Sequence, residues 1–153
     1  MSKIKINIVL FGIGNVGSTL INQVLESQKF FLEKKNIELR FPIITNSTLA
    51  FFEKEGEIEF WEEKFSELAI PYTIEEIISY VKREGLENLI AVDATASSKL
   101  VKSYSTLIEN DFHIVSANKI ANTLSFDFYK AIREKLDRYK FRIKHINFVP
   151  LQF

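Results

Sequence analysis

The chain has 153 residues, of which 46% are hydrophobic and 26% charged, a size and balance that fit one globular domain and argue against disorder. Twenty basic side chains balance twenty acidic ones, so composition offers no grip on nucleic acid or on an anionic membrane surface. Without cysteine, and with only two histidines, disulfides and a cysteine nucleophile are excluded and no metal site is expected.

The opening "MSKIKINIVLFG" is basic and then apolar, as in a signal peptide, but the run is short, lacks a small-residue cleavage site and leads into glycine. Residues 4–11 are therefore read as a β-branched-rich strand buried on both faces. No apolar run approaches the roughly 20 residues that span a bilayer, and a cytoplasmic location is the default expectation. After the glycines, Val16, Leu20, Ile21, Val24 and Leu25 recur at helical spacing to about residue 28. "ELRFPIITN" (38–46) is a second strand, in which Pro42 needs an edge or a bulge because it has no N–H for a ladder.

Residues 57–68, "EIEFWEEKFSEL", predict a short amphipathic helix. In "TIEEIISYVKREG", Thr73 and Glu76 have capping-box spacing, and Gly85 stands where a left-handed cap would stop the helix. Next come a strand at 88–95, a helix over 98–110, a strand at 112–117 and a helix near 125–139 capped by Ser125. "FRIKHINFV" (141–149) reads as a closing strand. Trp61 and the phenylalanines read as core, and His113 as a structural residue within its strand. Strands alternating with helices predict a single α/β unit, a doubly wound parallel sheet of Rossmann type with strand order 3-2-1-4-5-6 or a reduced version of it.

Three of the five glycines, Gly12, Gly14 and Gly17, form a GxGxxG pattern between the first strand and the first helix. Gly12 suits a sharp exit from the strand, Gly14 lets a phosphate approach the backbone, and Gly17 lets the helix pack closely. The helix N-terminus then offers free N–H groups and about half a positive charge to a pyrophosphate. The bland alternative is a tight turn with no ligand. At the end of the second strand, Asn46 and Ser47 stand where an acidic residue usually holds a ribose hydroxyl; ordinary turn chemistry also explains them. With no carboxylate to repel a 2′-phosphate, and Arg40 inside the strand, the pattern leans slightly towards NADP over NAD.

Ligands of open parallel sheets sit beyond the carboxyl ends of the strands. One such end, "VDATASSK", offers Thr95, Ala96 and Ser97 as small residues against which a nicotinamide ribose could pack, with Asp93 as a hydrogen-bond acceptor. Ser97 or Ser98 equally fits a plain helix cap. Another, "HIVSANKIANT", places Asn118 and Lys119 at the crevice, where a solvated loop lysine is the alternative.

"INIVLFGIGNVGSTLINQVL", "ITNS", "VDATAS", "FHIVSANKIANT" and "SFDFYKAIR", in this order and spacing over about residues 5–140, resemble the nucleotide-binding domain of homoserine dehydrogenase. The similarity is to the dehydrogenase half of bifunctional aspartokinase–homoserine dehydrogenase. That family reduces aspartate semialdehyde to homoserine with NAD(P)H, towards threonine and methionine. The resemblance implies that Gly12, Gly14, Asn15 and Val16 cradle the cofactor phosphates and that Thr95, Ala96 and Ser97 line the nicotinamide side. It also implies that Lys119, in the family's Asn-Lys pair with Asn118, polarises or protonates the substrate carbonyl.

In the family this domain leads into a substrate-binding and dimerisation domain with a second catalytic lysine and with carboxylates that hold the amino acid. The sequence stops at "HINFVPLQF", which does not clearly match that continuation, and no kinase part precedes it. The expectation is a dinucleotide-binding domain over 1–147, with 148–153 the start of a missing domain or an altered tail. Cofactor binding without competent turnover follows, aspartate semialdehyde or homoserine being a partner only of a complete protein. A dinucleotide-sensing regulatory module and a plain interaction domain stay open as other readings. If exposed, the apolar "FVPLQF" would favour a homodimer or aggregation.

Overall fold

The computed structural model describes residues 3–118, Glu134 and 149–150. Among the described residues, seven strands form one sheet: β1 (Ile4–Phe11), β2 (Ile37–Thr45), β3 (Leu49–Phe52), β4 (Ile70–Pro71), β5 (Leu89–Asp93), β6 (His113–Ser116) and β7 (Val149–Pro150). The helices described between them are α1 (Asn15–Lys35), α2 (Trp61–Leu68), α3 (Ile74–Arg83), α4 (Ser98–Lys102) and α5 (Tyr104–Glu109). The spatial order is β4-β3-β2-β1-β5-β6-β7. Strands β2, β1, β5, β6 and β7 run parallel, which is the expected doubly wound, Rossmann-type arrangement.

One edge departs from the expected all-parallel order. β3 turns straight back and pairs antiparallel with β2, and β4 pairs antiparallel with β3. The link from β2 to β3 is residues 46–48, too short for a crossover helix. Asn46 fixes that turn, its Oδ1 accepting from the N–H groups of Thr48 (3.0 Å) and Leu49 (2.7 Å).

Period-two alternation along β1 sends Val9 and Phe11 to one face and Ile8 and Leu10 to the other. Val9 and Phe11 pack with Ile77, Val81, Tyr104 and Leu107, from α3 and α5. Ile8 and Leu10 pack with Ile21, Trp61 and Phe65, from α1 and α2. Helices on both faces explain why the strand reads as a continuous apolar run. The phenylalanines are not all core, however. Phe30, on the part of α1 beyond its buried contacts, is 53% exposed, and Phe60, in the left-handed position before α2, is 71% exposed.

Pro42 sits in a bulge. Asn7 pairs with Arg40 but Val9 with Ile43, so β2 carries one extra residue there. The Phe41 N–H goes to the Gly56 carbonyl (3.0 Å) and Pro42 contributes only its oxygen, which accepts from the Glu53 N–H (2.8 Å). α1 runs on to Lys35, past the apolar spacing, because Lys34 and Lys35 suit the negative end of the helix and Asn36 closes it with φ 57°. α2 begins only at Trp61. α3 starts as expected, with the Glu76 N–H donating to Thr73 Oγ1 at 3.1 Å. It ends with the Leu86 N–H on the Val81 carbonyl (2.9 Å), across Gly85. The single helix expected over 98–110 is two, meeting at Ser103. Lys119, Ser125, the helix near 125–139 and the tail 151–153 lie outside the described residues. So does most of the expected closing strand, of which Val149 belongs to β7.

Candidate functional site

The carboxyl ends of β1, β2 and β5 open into a cleft of about 770 Å³. It brings together Gly12 and Gly14, Asn46 and Ser47, and residues 95–97, three segments far apart in the chain. Tyr72 and Thr73, ahead of α3, complete the rim and carried no sequence signal for such a place. A second cavity of about 450 Å³ lies at the amino ends of β5 and β6 and touches none of these loops. The open side of the first is where a parallel sheet directs its unpaired strand-end groups.

The glycines do three different things. Gly12 leaves β1 with φ +100°, and a Cβ there would stand 2.8 Å from the Ala94 carbonyl oxygen. A Cβ on Gly17 would lie 1.8 Å from the Gly12 oxygen, so α1 packs against the loop closer than any side chain permits. At Gly14 a Cβ would meet nothing within 4 Å. Gly14 is also the cap position of α1, with no side-chain cap and no acidic residue in the first turn. The positive end of α1 at Asn15 and Val16 is therefore left unneutralised by side chains, a setting suited to an anion.

At the β2 end, Asn46 is half-buried and Ser47 exposed. The Asn46 side-chain oxygen is committed to the turn, and its carbonyl accepts from the Tyr72 hydroxyl at 3.1 Å. Turn chemistry and a place on the cleft thus coexist in one residue. Arg40 is spoken for elsewhere: it is buried, and its guanidinium donates to the carbonyls of Glu55 (2.7 Å) and Lys54 (2.8 Å) and to Glu55 Oε2 (3.1 Å). Among the described residues, the charged side chains lining the cleft are Glu75 and Lys99, one of each sign and both exposed.

Beneath the β5 and β6 ends lies a cluster of buried polar groups. Asp93 Oδ1 accepts from the Thr95 N–H (2.8 Å) and the Thr95 hydroxyl (2.6 Å). Its Oδ2 accepts from the Tyr104 hydroxyl (2.5 Å) and from Asn118 Nδ2 (3.0 Å). Tyr104 also meets Ser116 Oγ at 2.7 Å, and Ser116 Oγ accepts from the Asn118 N–H at 3.0 Å. Asn118 Nδ2 reaches the Ser97 carbonyl at 3.0 Å, and Ser97 caps α4 by accepting from the Leu100 N–H at 3.2 Å. Four donors compensate a carboxylate only 1% exposed, the condition for burying such a charge. Burial, and after it the charge of Asp93, push the Tyr104 phenol well above its ordinary value, which keeps it a donor. Sequence reasoning singled out Asp93 and Asn118 but passed over Tyr104 and Ser116. The available signal was polar residues at the ends of two neighbouring strands.

Residues 12–145 match the family model described as "Homoserine dehydrogenase, NAD binding domain". The chain is 37% identical over 136 residues to the bifunctional aspartokinase/homoserine dehydrogenase of Buchnera aphidicola, and 31% identical over 134 residues to that of Haemophilus influenzae. These matches cover 88% and 87% of this chain but 16% of each relative, so the chain spans a small part of the curated proteins it matches. In shape it is similar to the homoserine dehydrogenase from Thermoplasma acidophilum, with a TM-score of 0.66 and 18% identity over 86% of this chain and 41% of that one. A hyperthermophilic archaeal homoserine dehydrogenase in complex with NADPH gives 0.60 and 20% over 86% of this chain and 42% of that one. Because the family match runs through every loop that builds the cleft, this chain belongs to the homoserine dehydrogenase NAD-binding domain family.

Proposed function

We propose that this chain binds a nicotinamide dinucleotide in the strand-end cleft and acts as the cofactor-holding part of a homoserine dehydrogenase, without turnover of its own. The observation that carries this reading is the open face at Gly14 beside an uncapped helix N-terminus, within a cleft lined at three strand ends. In it, Gly12, Gly14, Asn15, Val16 and Gly17 hold the pyrophosphate, and Asn46 and Ser47 face the adenosine ribose. Thr95, Ala96, Ser97 and Asn118 form the nicotinamide side. The neutral Asn46 and Ser47, where a ribose-binding carboxylate would otherwise stand, favour NADP over NAD.

When bound, the cofactor supplies a hydride. For the family's reaction, reduction of aspartate semialdehyde to homoserine, the Lys119 ammonium would steady the negative charge that grows on the carbonyl oxygen. The matched stretch corresponds to 16% of the length of the curated relatives named above, and the family model it meets is that of the NAD-binding domain. Residues 1–147 are the binding unit in this reading, and a cytoplasmic setting goes with it.

Isothermal titration with NADPH and NADH tests the first part. Saturable binding is expected, tighter for NADPH, and no binding of either overturns the assignment. A homoserine oxidation assay tests the second, where appreciable turnover by this polypeptide alone would be the contrary result.

A further inference from the structure

The hydrogen bonds under the β5 and β6 ends have a fixed direction. Thr95 N–H and Asn118 Nδ2 can only donate, and both point at Asp93. Tyr104 has one proton, and given to Asp93 it leaves the phenol oxygen to accept from Ser116 Oγ. Ser116 Oγ in turn accepts from the Asn118 N–H. The bonds therefore close a ring: Asn118 backbone to Ser116, Ser116 to Tyr104, Tyr104 to Asp93, with the Asn118 side chain returning to the same Asp93 oxygen.

The ring ties segments that leave the sheet where the β5–β6 ladder ends, at the Asp93–Ser116 pair. The backbone link there is the Ala117 N–H on the Asp93 carbonyl (2.8 Å). Through Oδ1, Asp93 holds the 94–97 loop; through Oδ2 it holds α5 and the exit of the chain from β6. Asn118 then clips that exit to the loop through the Ser97 carbonyl. Tyr104 does not line the cleft, but it holds the carboxylate on which both cleft-side segments hang.

We infer that Tyr104 is a positioning residue: through Asp93, Ser116 and Asn118 it sets the geometry of residues 95–97 and 118, and with it the grip on the nicotinamide half of a dinucleotide. This rests on the dinucleotide reading above. It predicts a split, because among the described residues the bonds of the ring run to α5 and to the ends of β5 and β6, and not to the glycine loop or the β2 turn. Loss of the phenol hydroxyl weakens what lies over β5 and β6 and spares what lies over β1 and β2.

The test compares the whole chain with its Tyr104→Phe and Ser116→Ala variants. NADPH and NADH are titrated against ADP and its 2′-phosphate, which keep both phosphates of the bridge and lack the nicotinamide and its ribose. Both variants are expected to lose about tenfold in affinity for the dinucleotides. Affinity for the fragments should stay within about twofold. Ser116→Ala breaks the ring at a second link, so it carries the test if thermal melts show Tyr104→Phe unfolded. Equal losses for dinucleotide and fragment, or no loss in a folded variant, overturn the inference. Failure of the unaltered chain to bind any of the four compounds overturns the dinucleotide reading itself, and this inference with it.

Discussion

Around Gly12 the wall of the cleft is backbone kept bare, with α1 packed onto it at a distance that admits no Cβ on Gly17. Around Asp93, 81 positions away along the sequence but only one strand over, the wall is a ring of buried side-chain hydrogen bonds. The first wall is specified by what is missing and fails when volume is added. The second is specified by polar groups that satisfy one another and fails when one of them is removed. A single cleft thus has two modes of damage, and they can be told apart.

The largest effect expected is on the bare wall. Gly17→Ala places a methyl group on the Gly12 carbonyl and should cost about 3 kcal/mol or more, read from the urea midpoint. A melt close to that of the unaltered chain would mean that α1 moves away more easily than this packing implies.

On the other wall, Tyr104→Phe leaves Asp93 one donor short and should cost about 1–3 kcal/mol. It should also change the response to alkali. The folded phenol titrates above its ordinary value of 10.0, so the stability it contributes is complete below that value and drains away as the pH climbs through it. Tyr80 is shifted the same way, by burial and then by Glu84 and Glu53, so the phenylalanine variant is needed to isolate Tyr104. Urea midpoints between about pH 8 and about pH 11 should fall more steeply for the unaltered chain than for the variant. Parallel curves would count against the buried bond.

Gly14→Leu sharpens the contrast with Gly17. Its backbone, at φ −71°, accepts any side chain and open space receives one, so the fold should survive. NADPH affinity should nonetheless drop by about tenfold or more, or about 1.4 kcal/mol. Retained binding in this variant would place the phosphates elsewhere.

The smallest effect concerns the β2 turn. Asn46→Asp keeps an oxygen for the Thr48 and Leu49 amides and adds a negative charge. NADPH should weaken by about fivefold relative to NADH in paired titrations, through repulsion of the 2′-phosphate. An unchanged ratio would remove Asn46 from cofactor choice.

Some of this was open to a reader of the sequence. The glycine spacing after an apolar strand announced the β1–α1 loop, and Thr73 with Glu76 and Gly85 announced both ends of α3. Pro42 announced an irregularity, and the bulge is where β2 takes it. Other features were hidden. β3 is only four residues long and follows a turn whose tightness comes from the side chain of Asn46. The break at Ser103 lies in a stretch whose composition suits one continuous helix. Tyr104 shares the apolar spacing of its helix, so nothing in the pattern separates a phenol that packs from one that also donates.

What the sequence by itself determined is local: strand β1, the bare loop after it, the start of α1 and the small residues at the β5 end. Each follows from the steric needs of a few adjacent residues. What only the tertiary structure decided is the antiparallel edge at β3 and β4, and the ring joining Asp93, Tyr104, Ser116 and Asn118. Those depend on hydrogen bonds between groups up to 25 positions apart, which have no period and no motif until the sheet brings them together.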